Sequence, residues 1–175
     1  MKAFHLTRAL LLAIGFTLAS SVAFAEPTAE YRVKAGFLYN FIVFTEWPAG
    51  VGSPLTLCVY GDSPFDGELS ALEGKTVNGR SLAVRNANRL EQLKGCRVVF
   101  VASSAIGSLP RILNSLQGEP VLTVADSQGA LDGGVAINMA LKQDKIAFEV
   151  NLAATRRAQL NLSSKLLRLA SEVRQ

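Results

Sequence analysis

Histidine is missing from everything beyond residue 25; the only one in the sequence is His5. Imidazole is the base in Ser-His-Asp and Cys-His catalysis and a ligand in the usual zinc sites, so those chemistries are excluded from that part of the chain. Long apolar runs are missing too. The longest, residues 9–18, is about ten residues, half of the roughly 20 that a spanning helix needs. A large excess of one charge is also lacking: 18 basic residues stand against 14 acidic ones. Cysteine is limited to two residues.

The short apolar run explains itself as part of a leader. Lys2 and Arg8 form a basic start, and Ala23-Phe24-Ala25 supplies the small residues that signal peptidase requires. Residues 1–25 are therefore expected to be a cleaved signal peptide, leaving 26–175 as one exported domain with room for a core. With Lys2 and Arg8 removed, the formal charge falls from +4 to +2, which argues against a nucleic-acid partner. In an oxidising compartment Cys58 and Cys96 favour a bridge, worth roughly 4 kcal/mol in the chain-entropy picture; two buried thiols are the alternative.

What is present is a pattern of strands and helices. LTLCVY (55–60), SLAVR (81–85), CRVVFVA (96–102) and VLTVA (121–125) read as strands, the third clearly buried. Helices are expected from a cap at Asp62 or Ser63, with Pro64 in the first turn, and from Ser103 or Ser104 to about Leu116. Residues 135–141 and 145–150 read as an antiparallel hairpin around Lys142-Gln143-Asp144. Helical pieces follow at 152–160 and 163–173, the second with Leu166, Leu169, Ala170 and Val173 on one face. This order predicts an α/β fold: a single-domain three-layer sandwich with a mixed, mostly parallel sheet, closed by a C-terminal hairpin and helices.

Chemistry is hard to place on this frame. Asp62 and Ser63, Ser103 and Ser104, and Asp126 and Ser127 follow three strands, so a parallel sheet would gather them at one edge as a small-molecule crevice. Helix capping is the plainer account of the same residues. Without histidine the serine of Gly61-Asp62-Ser63 has no ordinary base. Ser164 and Lys165 are neighbours that a helix points about 100° apart. GALDGG (129–134) precedes a strand rather than opening a helix, so it reads as a turn and not a phosphate cradle. An enzyme is not expected, and no cofactor or metal is implied.

Residues 30–48 hold six of the ten aromatic residues beyond the leader. On a helical wheel Val33, Phe37, Phe41 and Phe44 form one stripe, expected to be core. Tyr31, Ala35, Leu38 and Ile42 form a second, and Tyr39, Val43 and Trp47 a third. A helix this apolar all round must be covered on more than one side, by its own chain or by a partner. Tyr39 and Trp47 are the candidate contact, because such rings bury area while keeping a polar handle. Arg156 and Arg157 near Glu149 would add a charged rim.

Four blocks, YRVKAGFLYNFIVFTEWP (31–48), LTLCVYGDSPF (55–65), GCRVVFVASS (95–104) and GGVAINMALKQDKIAFEVNLAATRRAQLNLSSKLLRLA (133–170), resemble in order the YfiR family. The resemblance spans essentially the whole chain beyond the leader; its first and last blocks are the specific ones. It implies a periplasmic α/β sandwich without catalytic role and without membrane insertion. It implies a partner, the periplasmic sensory domain of an inner-membrane diguanylate cyclase, which the protein restrains, lowering cyclic di-GMP and biofilm formation. An OmpA-like outer-membrane lipoprotein as sequestering partner and a homodimer are further implications. Cys58 and Cys96 match a family disulfide; a second bridge nearer the C-terminus, present in some members, has no counterpart here. The rival expectation is a periplasmic small-molecule receptor using the strand-end crevice.

Overall fold

The computed structural model describes residues 27–175. The leader and the mature start near Glu26 lie outside the described residues. Helix α1 (Pro27–Val43) leads into a two-residue strand β1 (Thr45–Glu46) and then β2 (Leu55–Tyr60). A 3-10 helix (Glu68–Leu72) precedes β3 (Thr76–Val77) and β4 (Arg80–Ala87), and a second (Leu90–Leu93) precedes β5 (Cys96–Val101). A third (Ser103–Ser108) runs into α2 (Leu109–Ser115), followed by β6 (Leu122–Ala125), β7 (Ile137–Lys142) and β8 (Lys145–Asn151). The chain ends with α3 (Leu152–Arg157), β9 (Asn161–Leu162), α4 (Ser164–Leu167) and β10 (Glu172–Arg174).

Eight strands form one sheet in the order β10-β8-β7-β6-β5-β2-β4-β3, while β1 and β9 pair separately. The pairs β10–β8, β7–β6, β6–β5, β5–β2 and β2–β4 are parallel; β7–β8 and β3–β4 are antiparallel. The mixed, mostly parallel sheet expected from the alternation is what forms. Strands β2, β5 and β6 are covered on both faces, which is why they read as nearly unbroken apolar runs.

Alternation along each strand divides the interior into two cores. Leu57, Val59, Val98, Phe100, Leu122, Val124, Ile137, Met139, Phe148 and Val150 face α1, whose Ala35, Leu38, Phe41 and Ile42 close over them. Cys58, Val99, Val101 and Ala125 face the opposite way, under Leu109, Ile112 and Leu116 of α2 and its flanks. Those are the two outer layers of the expected sandwich. Cys58 and Cys96 are joined, with Cα atoms 5.9 Å apart, tying β2 to β5 within the second core. Arg85, the β4 neighbour of Cys58, lays its guanidinium along the bridge: Nε donates to Cys58 Sγ at 3.2 Å and Nη2 to Cys96 Sγ at 3.3 Å.

Several expected elements differ. The stretch after Pro64 turns through Asp66 and Gly67, both at positive φ, and makes only a 3-10 helix. The segment from Ser103 becomes α-helical only at Leu109. The hairpin turn is two residues, Gln143 and Asp144, with φ of 50° and 59°, the hand that matches twisted strands. The helix expected over 163–173 is four residues long. Ser163 caps it by accepting the Leu166 N–H at 3.3 Å, and Ser171 N–H then donates to Phe148 O at 2.8 Å, drawing the tail into the sheet as β10. Val173 is thus an edge-strand residue, and Leu169 is 71% exposed.

The expected core stripe of α1 is also displaced. Val33 is 50% exposed and Phe37 and Phe44 are half-buried, whereas Leu38, Phe41 and Ile42 are fully enclosed. The helix sits with its Ala35-Leu38-Ile42 side on the sheet. Phe65, Leu69 and Leu72 from one connection, and Leu160, Leu162 and Leu166 from the C-terminal pieces, belong to the same core. The chain itself therefore covers much of α1 on more than one side.

Candidate functional site

The C-terminal ends of β2, β5 and β6 do lie along one edge, and they bring the polar turns together as parallel pairing requires. The turns after β2 and β5 contact each other. Asp62 N–H donates to Ser104 Oγ at 2.9 Å, and Ala102 N–H to Tyr60 O at 3.0 Å. Gly61 has φ of 99°, and a Cβ there would come within 2.9 Å of both Ala105 Cβ and Ser104 Oγ, so the turns are pressed together. Ser63 Oγ faces the Phe65 N–H at 3.5 Å, a weak contact. Phe65 fills the space behind, its ring edge-on to Phe100 at 4.9 Å and to Tyr31 at 5.2 Å. Ser103 is exposed, and its side chain makes no hydrogen bond among the described residues. Part of this edge is thus taken by the Phe65 ring and the Asp62–Ser104 contact, while Ser127 Oγ is buried with no hydrogen-bond partner among the described residues.

Asp126 is used in a way the sequence reading missed. Helix α1 lies over it, so that Lys34 Nζ sits 2.6 Å from Asp126 Oδ2 and the Tyr31 hydroxyl donates to the same oxygen at 2.8 Å. The side chains of Lys34 and Asp126 are 5% and 2% exposed. Glu30, one turn earlier, adds a second carboxylate 2.5 Å from Nζ, and the ammonium lies 4.3 Å from the Tyr31 ring centre. Burial works against the charge on Lys34, but hydrogen bonds to Asp126 and Glu30 outweigh it, and its pKa is raised. Tyr31 is pushed up to about 12, first by burial and then by its bond to Asp126. The visible signal was the Glu30–Lys34 spacing of four on a helix otherwise short of charge; that Asp126 would complete it was not readable.

The aromatic contact candidates are half-buried. Tyr39 packs against the α1-side core and carries Lys75 Nζ 4.9 Å from its ring centre. Trp47 lies beyond the helix, packed on the same core, with Nε1 buried and without a partner among the described residues. Among the described residues neither Arg156 nor Arg157 pairs with Glu149. Glu149 is taken by Lys142 at 2.7 Å, while Arg156 reaches Gln175 at 3.1 Å and Arg157 lines a cavity beside α2.

Exposed apolar surface lies elsewhere. Val33 on the outer flank of α1 and Leu141 near the hairpin tip are 50% and 57% exposed. With Ile146 they line a groove of about 440 Å3 between helix and hairpin, with Glu30, Asp144 and Lys145 around it. Among the described residues no cluster of His, Cys, Asp and Glu is arranged to hold a metal. No described helix is long and apolar enough to cross a membrane.

Comparison with solved structures returns low-identity neighbours. One is the ABC domain from Streptococcus pneumonia in complex with L-Trp, at 8% identity and a TM-score of 0.49 over 67% of this chain and 54% of that one. Another is a conserved domain protein from Vibrio cholerae, at 8% identity and a TM-score of 0.49 over 82% of this chain and 60% of that one. The chain thus spans between half and two thirds of the length of these neighbours. No curated protein matches it. A family model described as YfiR/HmsC-like matches residues 31–171.

Proposed function

The chain belongs to the YfiR/HmsC-like family, whose members are periplasmic regulators, and from that premise we propose that it represses an inner-membrane diguanylate cyclase. It does so by binding the cyclase's periplasmic sensor domain, which lowers cyclic di-GMP and biofilm formation. It acts in the periplasm after loss of residues 1–25. An OmpA-like outer-membrane lipoprotein competes for it and relieves repression. Repression requires tighter binding to the resting cyclase than to the active one.

The observation that carries this reading is the apolar groove at Val33, Leu141 and Ile146. Two large aliphatic side chains at least half accessible, on adjoining elements and bordered by charge, have the make-up of a protein contact: an apolar centre with a polar rim. Tyr39 and Trp47 contribute a second, smaller contact through their outer edges. The small-molecule receptor has less behind it, since the Asp62–Ser104 contact joins two of the strand-end turns and Phe65 packs against Phe100 beside them.

Binding of the purified domain to the periplasmic domain of a membrane diguanylate cyclase from the same organism is the test. Leu141→Glu and Val33→Glu should each weaken it at least about tenfold, as buried interface anchors do, with thermal stability unchanged. In cells the same variants should raise cyclic di-GMP. Wild-type affinity in both variants would remove the groove from the interface; no binding by the wild type would remove the reading itself. A second copy of the chain on this face would show as a concentration-dependent dimer that Leu141→Glu dissolves.

A further inference from the structure

At the sheet edge opposite Asp126, a cavity of about 470 Å3 opens between the end of α2 and α3. Its position follows from the topology. The segment before β6, the glycines before β7 and the helix after the antiparallel β8 all come to the N-terminal ends of the parallel strands. Leu113 and Leu116 form one wall and Ala154 and Ala158 another. The volume is within the roughly 300–1,000 Å3 of small-molecule sites.

Two of its lining side chains have donors that no other described residue engages. Arg157 is exposed and makes no ion pair or side-chain hydrogen bond among the described residues. Thr123 is 7% exposed; its Oγ1 accepts the Ala136 N–H at 2.9 Å, which leaves its own proton without an acceptor among the described residues. The carboxylate in the lining, Glu119, is held 3.4 Å from Arg97. A cationic ligand would be repelled by the Arg157 guanidinium, and a neutral one would form no charge-assisted contact with it. A carboxylate answers both donors, because the guanidinium fork fits its two oxygens and the hydroxyl can take one of them.

We propose that this cavity binds a small amphiphilic carboxylate, its apolar body against Leu113, Leu116, Ala154 and Ala158 and its head on Arg157 and the Thr123 hydroxyl. The site is separate from the α1–hairpin groove and stands whether or not the cyclase reading does.

Octanoate, octanol and octylamine, titrated into the isotope-labelled protein and followed by amide shifts, form a matched set of probes. Octanoate should move the signals of residues 116–119, 133–134 and 154–158, and bind at least about tenfold more tightly than the other two, the margin expected of a charge-assisted contact. Arg157→Met should remove that margin and leave octanol binding as it was. Ala158→Leu, which fills the cavity, should abolish both. Equal affinity for octanoate and octanol in the wild type, shifts confined to other residues, or no shifts at all would each overturn the assignment.

Discussion

The two faces of the sheet are held down by different means. On one, α1 supplies 17 residues and a core of rings, with Phe41 in edge contact with Phe148 at 5.0 Å. On the other, α2 has only seven residues, too few to be stable as a helix without packing, and the core beneath it is mostly valine, leucine and alanine. That lighter face is where the Cys58–Cys96 bridge sits. The heavier face has enough apolar area to enclose the Lys34–Asp126 pair within it. The difference bears on where the domain can spare surface: among the described residues Val33 and Leu141 stand exposed between α1 and the hairpin, and Leu169 and Val173 along the C-terminal tail.

Truncating the centre of the heavy face is expected to do the most damage. Phe41→Ala should cost about 4 kcal/mol, within the range for a buried phenylalanine, measured as a lower urea midpoint at an unchanged slope. Replacing both Cys58 and Cys96 by alanine should cost roughly 4 kcal/mol or somewhat less, since it reopens a loop of 38 residues. A far larger loss from the cysteine pair than from Phe41 would mean that the covalent tie, not the ring cluster, dominates the fold. Asp126→Asn comes next at about 3 kcal/mol, the low end for breaking a buried pair, because Glu30 still reaches Lys34.

Alkaline pH sharpens the same point. Lys34 has a raised pKa, so the stability it contributes is complete below the unfolded lysine value and is lost as pH climbs through the folded one. Tyr31 acts in the same direction: from pH 10 the unfolded phenol ionises while the folded one resists until about 12. Stability should therefore fall between about pH 10 and 12, as read by chemical denaturation at each pH. Tyr31→Phe should flatten part of that fall. A curve identical to wild type would place the phenol's ionisation outside the folding equilibrium.

Much of this frame was legible because it depends on local periodicity. Residues 55–60, 96–101 and 122–125 had to be buried strands, and the hairpin announced itself by alternation on both sides of a polar turn. Long-range partners were not legible. Lys34 looked like one charge among several on a helix wheel, and only the fold brings it to a carboxylate 92 residues away. Which stripe of α1 faces inward was equally hidden, because more than one stripe was apolar and a wheel cannot choose between them. The tail misled for a related reason. Leu166, Leu169 and Val173 fit helical spacing, yet the Ser171 bond to β8 ends the helix and makes Val173 an edge residue.

The smallest effect expected is also the one that tells core from interface at Trp47. Its Nε1 is enclosed and has no acceptor among the described residues, a donor left unmade at a cost of about 1–3 kcal/mol. Trp47→Phe removes that donor along with some packed area, so the two contributions oppose each other. The folded domain alone should change by no more than about 1 kcal/mol, whereas Trp47→Ala, which loses the area without compensation, should cost more. If the outer edge of the indole meets a partner, Trp47→Phe will instead weaken the complex while the free domain's melting temperature stays put. Equal affinity for wild type and Trp47→Phe, with Trp47→Ala unfolding early, would leave the indole as a core residue and the contact at Val33 and Leu141 alone.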